Sequence, residues 1–366
     1  MKLMILMPEL FWGGAERQFR FVIEKLNSQN VQTYVCVPSY YSLSRNYKKN
    51  DEKRFVDLNP NIEFIINENN KIGKLETIFY YMINALKLKI KYGVNCAVVY
   101  DAKASYIIPF LRMIGIKVLY SERNSGDFLK NPILNMFIRL SNVITANSLS
   151  ASKRIEEAYK RDVYYIKNGT QVKKTNKQLR IGVKFEEAKI LIPARVVPVK
   201  NQKIILKFLV QNKKYKGDII FAGKIEDEEY KRKLDEYIEK NSLIKRIKFL
   251  GYVDQMEEVY EQADVVILPS YSEGMSNVIL ECFSKRIPII VSDIEMNTFT
   301  KNLKELSFNP NSVSSLIDIY NRFIMFDENQ LNKMLDENLK YIKDNHSVEK
   351  MSKKYIELMK KMISNK

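Results

Sequence analysis

The feature of this sequence that most constrains its fold is a repeated alternation of short apolar segments with amphipathic ones. Apolar segments such as Lys2–Met7 and Val31–Pro38 have the length of strands, and segments between them, such as Ala15–Leu26, have the apolar spacing of helices. Strands that alternate with helices form parallel sheets covered by helices on both faces. The alternation therefore predicts an α/β protein built of doubly wound sheets.

The alternation runs through the chain twice, which indicates two domains. A chain of 366 residues also exceeds one ordinary core, since a domain usually comprises about 100–200 residues. We expect an N-terminal Rossmann-like domain at 1–168, a linker at 169–187 and a C-terminal Rossmann-like domain at 188–345. The last helix, within 346–366, is expected to pack back on the N-terminal domain. Two such domains in tandem are expected to face a central cleft that holds the ligand.

Charge narrows the class of partner. The chain has 60 Lys and Arg against 43 Asp and Glu, a net charge of +17, which attracts nucleotides, nucleic acids and acidic membrane surfaces. Because the excess is spread over both halves without a basic tail, nucleic-acid binding is disfavoured. A genome that prefers lysine would explain the same excess without any anionic partner.

Composition also limits the compartment and the metal chemistry. The sequence has no run of about 18 apolar residues, so it predicts no transmembrane helix. The cysteines Cys36, Cys96 and Cys282 are far apart in apolar segments, which argues against a disulfide framework or a cysteine zinc site and suits a reducing cytoplasm. The single histidine, His346, is expected at the surface or at a helix cap. The sequence therefore predicts a cytoplasmic protein without a metal site.

The strongest local pattern lies in the second half. A strand predicted at Val265–Leu268 is followed by a polar loop and by a helix from about Asn277. The loop contains Glu273, followed by Gly274, Met275 and Ser276. Free backbone N–H groups at the start of such a helix suit a phosphate. Glu281 follows on the helix, eight residues after Glu273, and carboxylates are good acceptors for sugar hydroxyls.

Two cations follow the first strand predicted in the second domain. Arg195 and Lys200 lie at the carboxyl end of that strand, with Asn201 as the expected cap of the next helix. Two cations at this edge could neutralise a departing diphosphate. Arginine and lysine in a loop are also commonly surface charges, and two glutamates eight residues apart are commonly solvated helix charges.

The first domain has two weaker patterns. Gly13 and Gly14 come directly after the first strand and would allow a ligand close to the backbone, although their spacing is also that of a plain turn. Glu122 and Arg123 end a later strand in the segment Ser121-Glu-Arg-Asn, and would face the same cleft if the sheet is parallel.

Together and in this order, these patterns resemble the retaining glycosyltransferases of family 4, which have the GT-B fold. The glutamates of the E-x7-E motif match Glu273 and Glu281, and the basic pair of the second domain matches Arg195 and Lys200. Gly13 and Gly14 match the family's glycine loop, and Asn168-Gly169 matches its interdomain Asn-Gly. The resemblance is strongest over 249–293. The segments around Gly13 and Glu122 look most like bacterial enzymes of capsule, O-antigen or related glycan assembly.

The resemblance implies a role for each matched residue. Glu281 would hold the ribose hydroxyls of a nucleotide-sugar donor, expected to be a UDP-sugar, and Glu273 would hold the sugar hydroxyls. The backbone of Gly274–Ser276 would lie against the sugar and the phosphates. Arg195 and Lys200 would stabilise the departing diphosphate without a metal or other cofactor. The acceptor would be a glycan or a polyprenyl-linked molecule, which attacks with retention of configuration.

Two departures from the family pattern affect these implied roles. Many relatives have a histidine near the sugar where this chain has Arg123 and its neighbours, so Arg123 and Glu122 are the weak candidates for sugar or acceptor contacts. The segment after Asp293 lacks the glycine-rich run that many relatives have.

Three segments of the first domain suggest a membrane surface. Leu75–Tyr92, Tyr40–Lys49 and Phe128–Leu140 combine apolar or aromatic residues with lysine or arginine. A basic amphipathic surface can dock on anionic lipid at the inner face of the plasma membrane. Ordinary core helices whose lysines reach the solvent would have the same pattern.

The sequence thus predicts a retaining, metal-independent glycosyltransferase of bacterial surface-glycan synthesis. A non-catalytic subunit of the same fold that binds a sugar nucleotide or a partner protein is the alternative. It would be favoured by loss of Glu273, Arg195 or Lys200, and all three are present. A nucleic-acid-modifying enzyme is a third reading, but no concentrated basic arm or reader motif supports it.

Overall fold

The computed structural model describes residues 1–7, 14–38, 61–67, 73–100, 104–124, 126–172, 184–253 and 255–364. It divides into two compact units. Unit 1 comprises Met1–Gly169 and Val348–Lys366, and unit 2 comprises Thr170–Ser347. Predicted linker residues 173–183 lie outside the described residues, whereas Phe185–Glu187 form a short helical turn of unit 2.

The described residues of unit 1 form a seven-stranded sheet. Its strands are β1 (Leu3–Leu6), β2 (Thr33–Val37), β3 (Ile62–Ile66), β4 (Cys96–Val99), β5 (Lys117–Glu122), β6 (Val143–Ala146) and β7 (Tyr164–Tyr165). They lie in the order β3-β2-β1-β4-β5-β6-β7 and pair in parallel. Strands such as β1 and β4 are buried along their whole length, as expected when helices cover both faces.

Helices cover the two faces of this sheet. They are α1 (Gly14–Ser28), α2 (Lys74–Tyr92), α3 (Ile108–Met113), α4 (Pro132–Arg139) and α5 (Leu149–Tyr159), with α13 (Val348–Ser364) at the end of the chain. One face packs on α2, α3, α4 and α5. The other packs on α1 and α13, whose Met351, Tyr355 and Met359 join Phe19 and Leu3 in one core.

The described residues of unit 2 form a six-stranded sheet. Its strands are β8 (Ile190–Ile192), β9 (Ile219–Ala222), β10 (Ile247–Gly251), β11 (Val265–Leu268), β12 (Ile289–Ser292) and β13 (Ser307–Phe308). They lie in the order β10-β9-β8-β11-β12-β13, again in parallel. In both sheets the strand order reverses after the first strand of the unit, and ligands of doubly wound sheets bind at such a point. In unit 2 this point lies between β8 and β11.

The helices of unit 2 follow its strands. They are α6 (Gln202–Gln211), α7 (Glu228–Lys240), α8 (Met256–Gln262), α9 (Asn277–Ser284), α10 (Lys301–Glu305), α11 (Val313–Phe323) and α12 (Glu328–Asn345). His346 is the C-cap residue of α12, as one of the two expectations had it. It is buried rather than at the surface, and its ring centroid lies 5.6 Å from that of Tyr341.

The chain passes between the units at two neighbouring positions. Thr170 pairs with Ser347 in an isolated bridge, and the Thr170 N–H donates to the His346 carbonyl at 2.8 Å. On the unit 1 side, a Cβ added to Gly169 would lie 2.7 Å from Cα of Val348. Only glycine fits such a close approach of two backbones.

Candidate functional site

The candidate site of unit 2 is built around an ion pair at the carboxyl ends of β8 and β11. Lys200 Nζ donates to both carboxylate oxygens of Glu273, at 2.6 Å to Oε1 and 2.7 Å to Oε2. The Ser270 hydroxyl also donates to Glu273 Oε1, at 2.6 Å. The Lys200 and Glu273 side chains are only 15% and 11% exposed. The two residues that the sequence predicts on separate loops are thus in direct contact.

Hydrogen bonds between the two loops hold this pair. The Tyr271 N–H donates to the Val199 carbonyl at 2.9 Å. Asn201 is the N-cap residue of α6 and has a left-handed backbone conformation with φ 53°. Its side chain makes no capping hydrogen bond to the helix. Its Nδ2 donates instead to the carbonyls of Pro269 at 3.2 Å and Pro310 at 2.9 Å. Asn201 therefore joins the loop after β8 to two other loops at the same edge.

A chain of buried hydrogen bonds supports the other side of the Glu273 loop. Asn297 Nδ2 donates to the Ser292 hydroxyl at 3.0 Å, and that hydroxyl donates to the Ser270 carbonyl at 2.6 Å. Asn297 and Ser292 are fully buried. Asn297 lies in the segment after Asp293, where the sequence lacks the family's glycine-rich run. This segment thus supports Ser270, which in turn donates to Glu273.

Arg195 lies at the same edge of the sheet, but its side chain pairs elsewhere. Its Nη1 lies 2.8 Å from Glu226 Oε2, and both side chains are substantially exposed. Its carbonyl accepts from Gln202 Nε2 at 2.7 Å. The backbone beside it is tightly packed, because a Cβ on Gly223 would lie 2.1 Å from the Ala194 carbonyl oxygen.

The loop that follows Glu273 leads into α9. Met275 and Ser276 are buried, Gly274 is partly buried, and Ser276 is the N-cap residue of the helix. Glu281 is buried within α9. The structure therefore places Glu281 on the helix and Glu273 on the preceding loop, as the sequence predicts. The N–H groups of the first turn of α9 could bind an anion.

In unit 1, Glu122 is bonded within its own turn. Its Oε2 accepts from the Tyr120 hydroxyl at 2.7 Å, and its Oε1 accepts from the N–H groups of Asn124 at 2.9 Å and Gly126 at 3.3 Å. Burial raises the pKa of this carboxyl, although these three hydrogen bonds oppose the shift. The geometry is that of a carboxyl that shapes the loop after β5.

Arg123 is held by the last helix and by the end of the first domain. Its Nη1 donates to the Tyr355 hydroxyl at 3.3 Å and its Nη2 to Asn168 Oδ1 at 2.8 Å. The guanidinium also lies 5.8 Å from the ring centroid of Phe19. The Ser121 hydroxyl lies 2.8 Å from the same Tyr355 hydroxyl.

The glycine pair is only partly described. Gly14 is the first residue of α1, and Gly13 lies outside the described residues. The same helix contacts the end of the first domain, because Gln18 Nε2 donates to the Gly169 carbonyl at 2.9 Å and the Gly169 N–H donates to Gln18 Oε1 at 2.8 Å.

Several site residues were missed by the sequence reasoning. Ser270 precedes Glu273 in the same loop, and a serine three residues before a glutamate in a loop is the one signal for it. Ser292, Asn297 and Tyr355 are joined to the site residues only through tertiary contacts, which no local pattern reveals.

In the ranges that the structure describes, no three or more His, Cys, Asp or Glu residues group in a way that could hold a metal ion. Among the helices of those same ranges, none is both long and apolar enough to cross a membrane.

Known proteins resemble this chain in sequence and in fold. Residues 174–341 match the family described as glycosyl transferases group 1. The chain is 23% identical over 307 residues to protein CapJ of Staphylococcus aureus, covering 82% of this chain and 72% of CapJ. It is 31% identical over 121 residues to the O-antigen biosynthesis glycosyltransferase WclY of Escherichia coli, covering 33% of each chain. The structure of HepE (Alr3699) of Anabaena in complex with UDP and glucose matches with a TM-score of 0.79 at 16% identity, covering 98% of this chain and 99% of that one.

These findings confirm the resemblance and the fold class. The chain has the α/β fold of GT-B glycosyltransferases, with two Rossmann-like units of parallel strands. The residues that match the group 1 glycosyltransferase family, 174–341, lie within the second unit and include Arg195, Lys200, Glu273 and Glu281.

Proposed function

We propose that this protein is a retaining glycosyltransferase of family 4 that transfers a sugar from a UDP-sugar to a glycan or polyprenyl-linked acceptor during bacterial surface-glycan synthesis. The observation that carries the proposal is the buried contact of Lys200 with Glu273 at the switch point of the unit 2 sheet. The names of CapJ and WclY support the surface-glycan assignment, and the UDP and glucose in HepE support the donor.

The donor would bind at the carboxyl edge of the unit 2 sheet. Glu281 would accept hydrogen bonds from the ribose hydroxyls, and Glu273 from the hydroxyls of the transferred sugar. The N–H groups of Gly274–Ser276 and of the first turn of α9 would face the phosphates and the sugar. The expected role of Glu273 fits a carboxylate held in place by Lys200 and Ser270.

The departing diphosphate needs positive charge, which Lys200 and Arg195 would supply. An ammonium group has three donors, and the two bonds to Glu273 leave a third for a phosphate oxygen. Arg195 is exposed enough to turn from Glu226 towards a ligand. Because charge-assisted hydrogen bonds stabilise a developing anion, we propose that the reaction needs no metal or other cofactor.

Glu273 is proposed to orient the sugar rather than to attack it. Its carboxylate already accepts three hydrogen bonds, two from Lys200 and one from Ser270, which lowers its nucleophilicity. The acceptor hydroxyl would therefore attack from the side that the diphosphate leaves, and retention would follow without a glycosyl-enzyme intermediate.

The test is a thermal-shift and calorimetry panel with UDP, GDP and their common hexose conjugates, run in EDTA. We expect a selective UDP response that increases with one sugar, since a ligand at 100 times its Kd stabilises by about 2.7 kcal/mol. The selected donor is then incubated with bacterial membrane and glycan fractions, and sugar transfer and the anomeric configuration of the product are measured. We expect transfer with retention.

A matched pair of variants isolates the site. Lys200→Ala should lower transfer about tenfold or more, since one charge-assisted bond contributes about 1.5–3 kcal/mol. Lys285 is the control, because it is also a partly buried, ion-paired lysine, and it follows the C-terminal end of α9, whereas Glu273 lies in the loop before the helix begins. Unchanged transfer in a folded Lys200→Ala protein, or activity lost in EDTA and restored by magnesium, would contradict the site or the metal-free mechanism. Donor binding without transfer to any fraction would favour a non-catalytic subunit.

A further inference from the structure

Helix α2 of unit 1 has an apolar stripe on the side away from the core. Leu75, Phe79, Ile83, Leu86 and Ile90 are each between 43% and 76% exposed. At 3.6 residues per turn these five side chains fall within an arc of about 80° along the whole helix. We call them the α2 stripe. Single exposed apolar residues are ordinary, but a continuous exposed row of five marks an interaction site.

The stripe is distinct from the side of α2 that packs on the sheet. Tyr81, Ala85 and Leu88 are the buried residues of the helix and belong to the core of that face. They lie roughly opposite the stripe on the helix. The outward row is therefore not needed to hold α2 on its own domain.

A second, shorter row continues the apolar surface. Ile133, Met136 and Leu140, on and just after α4, are between 47% and 58% exposed, while Ile138 of the same helix is buried in the core. Because α2 and α4 pack on the same face of the sheet, their outward rows face the same side of unit 1. Met113 at the end of α3, which packs between them, is 76% exposed.

The charges around the stripe are mostly positive. The sequence of α2 contains four lysines and one glutamate, and Glu76 lies in the first turn. Lys87 and Lys89 flank the stripe on its two sides, and Lys91 follows in the last turn. The overall net charge of +17 has the same sign.

We propose that the α2 stripe, together with the outward row of α4, docks unit 1 on an anionic lipid surface. An apolar row flanked by lysines matches the interface of such a membrane, where apolar side chains enter the acyl boundary and lysines contact the headgroups. A second copy of the chain is a poorer occupant, because it would bring two lysine-rich helices together. This proposal goes beyond the transferase function and stands whatever sugar the enzyme transfers. The segment Tyr40–Lys49, also expected at a membrane, lies outside the described residues.

The experiment measures binding of the full chain to vesicles of phosphatidylcholine with and without one quarter phosphatidylglycerol. We expect sedimentation with the anionic vesicles only, and binding that weakens as salt is raised. Replacing Phe79, Ile83 and Ile90 by serine should lower the partition coefficient by about tenfold or more, since each large apolar side chain adds substantially to interfacial binding. Ile244 and Met325 of unit 2, which are 63% and 80% exposed, give the matched serine control.

The lysines are tested separately. Replacing Lys87, Lys89 and Lys91 by glutamine should weaken anionic-vesicle binding by about tenfold or more, because each lysine near such a surface contributes about fivefold. Glutamine at Lys301 and Lys353, two exposed lysines on other helices, should have a much smaller effect per lysine.

Three outcomes would overturn the proposal. The first is equal binding to neutral and anionic vesicles, and the second is vesicle binding of the serine variant as strong as that of wild type. The third is a protein that does not bind vesicles but forms a concentration-dependent dimer, which the serine variant no longer forms. Nucleotide thermal shifts on the same variants separate this proposal from the transferase one, because a folded stripe variant should keep its donor response.

Discussion

Lys200 and Glu273, 73 residues apart in the sequence, share two hydrogen bonds of 2.6 and 2.7 Å in a nearly buried pair. Each side chain would be costly to bury alone, and removing one partner of a buried pair leaves an uncompensated charge. The pair therefore fixes the two loops of unit 2 that follow β8 and β11, and both loops must move together.

The Glu273 carboxylate should determine recognition of the sugar rather than of the nucleotide. Glu273→Gln keeps the size of the side chain and an oxygen that accepts from Ser270, but removes the charge. We expect the variant to bind UDP about as wild type does and to lose the additional affinity for the complete donor. Calorimetry with UDP and with the UDP-sugar measures both. A parallel loss of both affinities would contradict this role.

Glu281 should determine binding of the nucleoside. Glu281→Gln weakens two expected hydrogen bonds to ribose, so we expect the Kd for UDP to rise about tenfold or more. Because Glu281 is buried, the melting temperature of the variant is measured alongside. A folded variant with an unchanged Kd for UDP would show that the ribose lies elsewhere.

The hydrogen-bond chain from Asn297 should position Glu273 without touching the donor. Asn297→Ala removes the donor to Ser292 and should destabilise unit 2 by about 1–3 kcal/mol. We expect the kcat for transfer to fall more than the KM for the donor changes. Asn297→Asp, which can still accept but not donate at the same place, is expected to behave like Asn297→Ala. Recovery in Asn297→Asp would contradict the direction of this bond.

Two glycines of unit 2 should respond differently to alanine. A Cβ on Gly223 would lie 2.1 Å from the Ala194 carbonyl oxygen, whereas the space beside Gly251 is open and only its φ of +64° disfavours alanine. Gly251→Ala should cost about 1–2 kcal/mol, the cost of a left-handed conformation for an L-residue, and Gly223→Ala should cost more because backbone must move. Denaturant unfolding of both variants compares them. Equal costs would contradict the close approach of the two backbones.

Glu122 should make the stability of unit 1 depend on pH. Burial raises its pKa in the folded state above the value of about 4.3 for an exposed glutamate. Its stabilising contribution is therefore fully present below that unfolded-state value and is lost as pH rises through the folded-state pKa. We expect the melting temperature of Glu122→Gln, relative to wild type, to rise as the pH increases from about 4.3 through the folded-state pKa.

Melting curves of both proteins across this range make the comparison. Glu357→Gln, which removes a well exposed carboxylate of the same unit, is measured over the same pH values for comparison. A difference for Glu122→Gln that does not change with pH would contradict the raised pKa of Glu122.

Most of the fold could be predicted because buried parallel strands are short, apolar and regularly spaced. Strands such as β1 and β11 were recognised within a residue or two of their ends. Two elements were not predicted, β13 with two residues and α10 with five. Both are too short to show the apolar periodicity of a strand or a helix. Local patterns could not reveal that His346 is buried, because its ring lies beside those of Phe299 and Tyr341.

The candidate site was predictable only in part. Arg195, Lys200, Glu273 and Glu281 could be identified from their places after strands and at a helix start, and the contact of Lys200 with Glu273 follows from the adjacency of β8 and β11. The pairing of Arg195 with Glu226 could not be predicted, because it depends on side-chain conformation. The contact of Arg123 with Tyr355 could not either, because 232 residues separate them.

The packing of α13 on α1 has a consequence for the order in which the chain becomes structured during synthesis. The core that contains Phe19 also contains Met351, Tyr355 and Met359, so the domain that is translated first is completed last. Unit 2 leaves the ribosome in between, with all of its own strands available. A chain that ended at residue 347 would contain the whole of unit 2, but the apolar face of unit 1 that α13 covers would be open to chaperones.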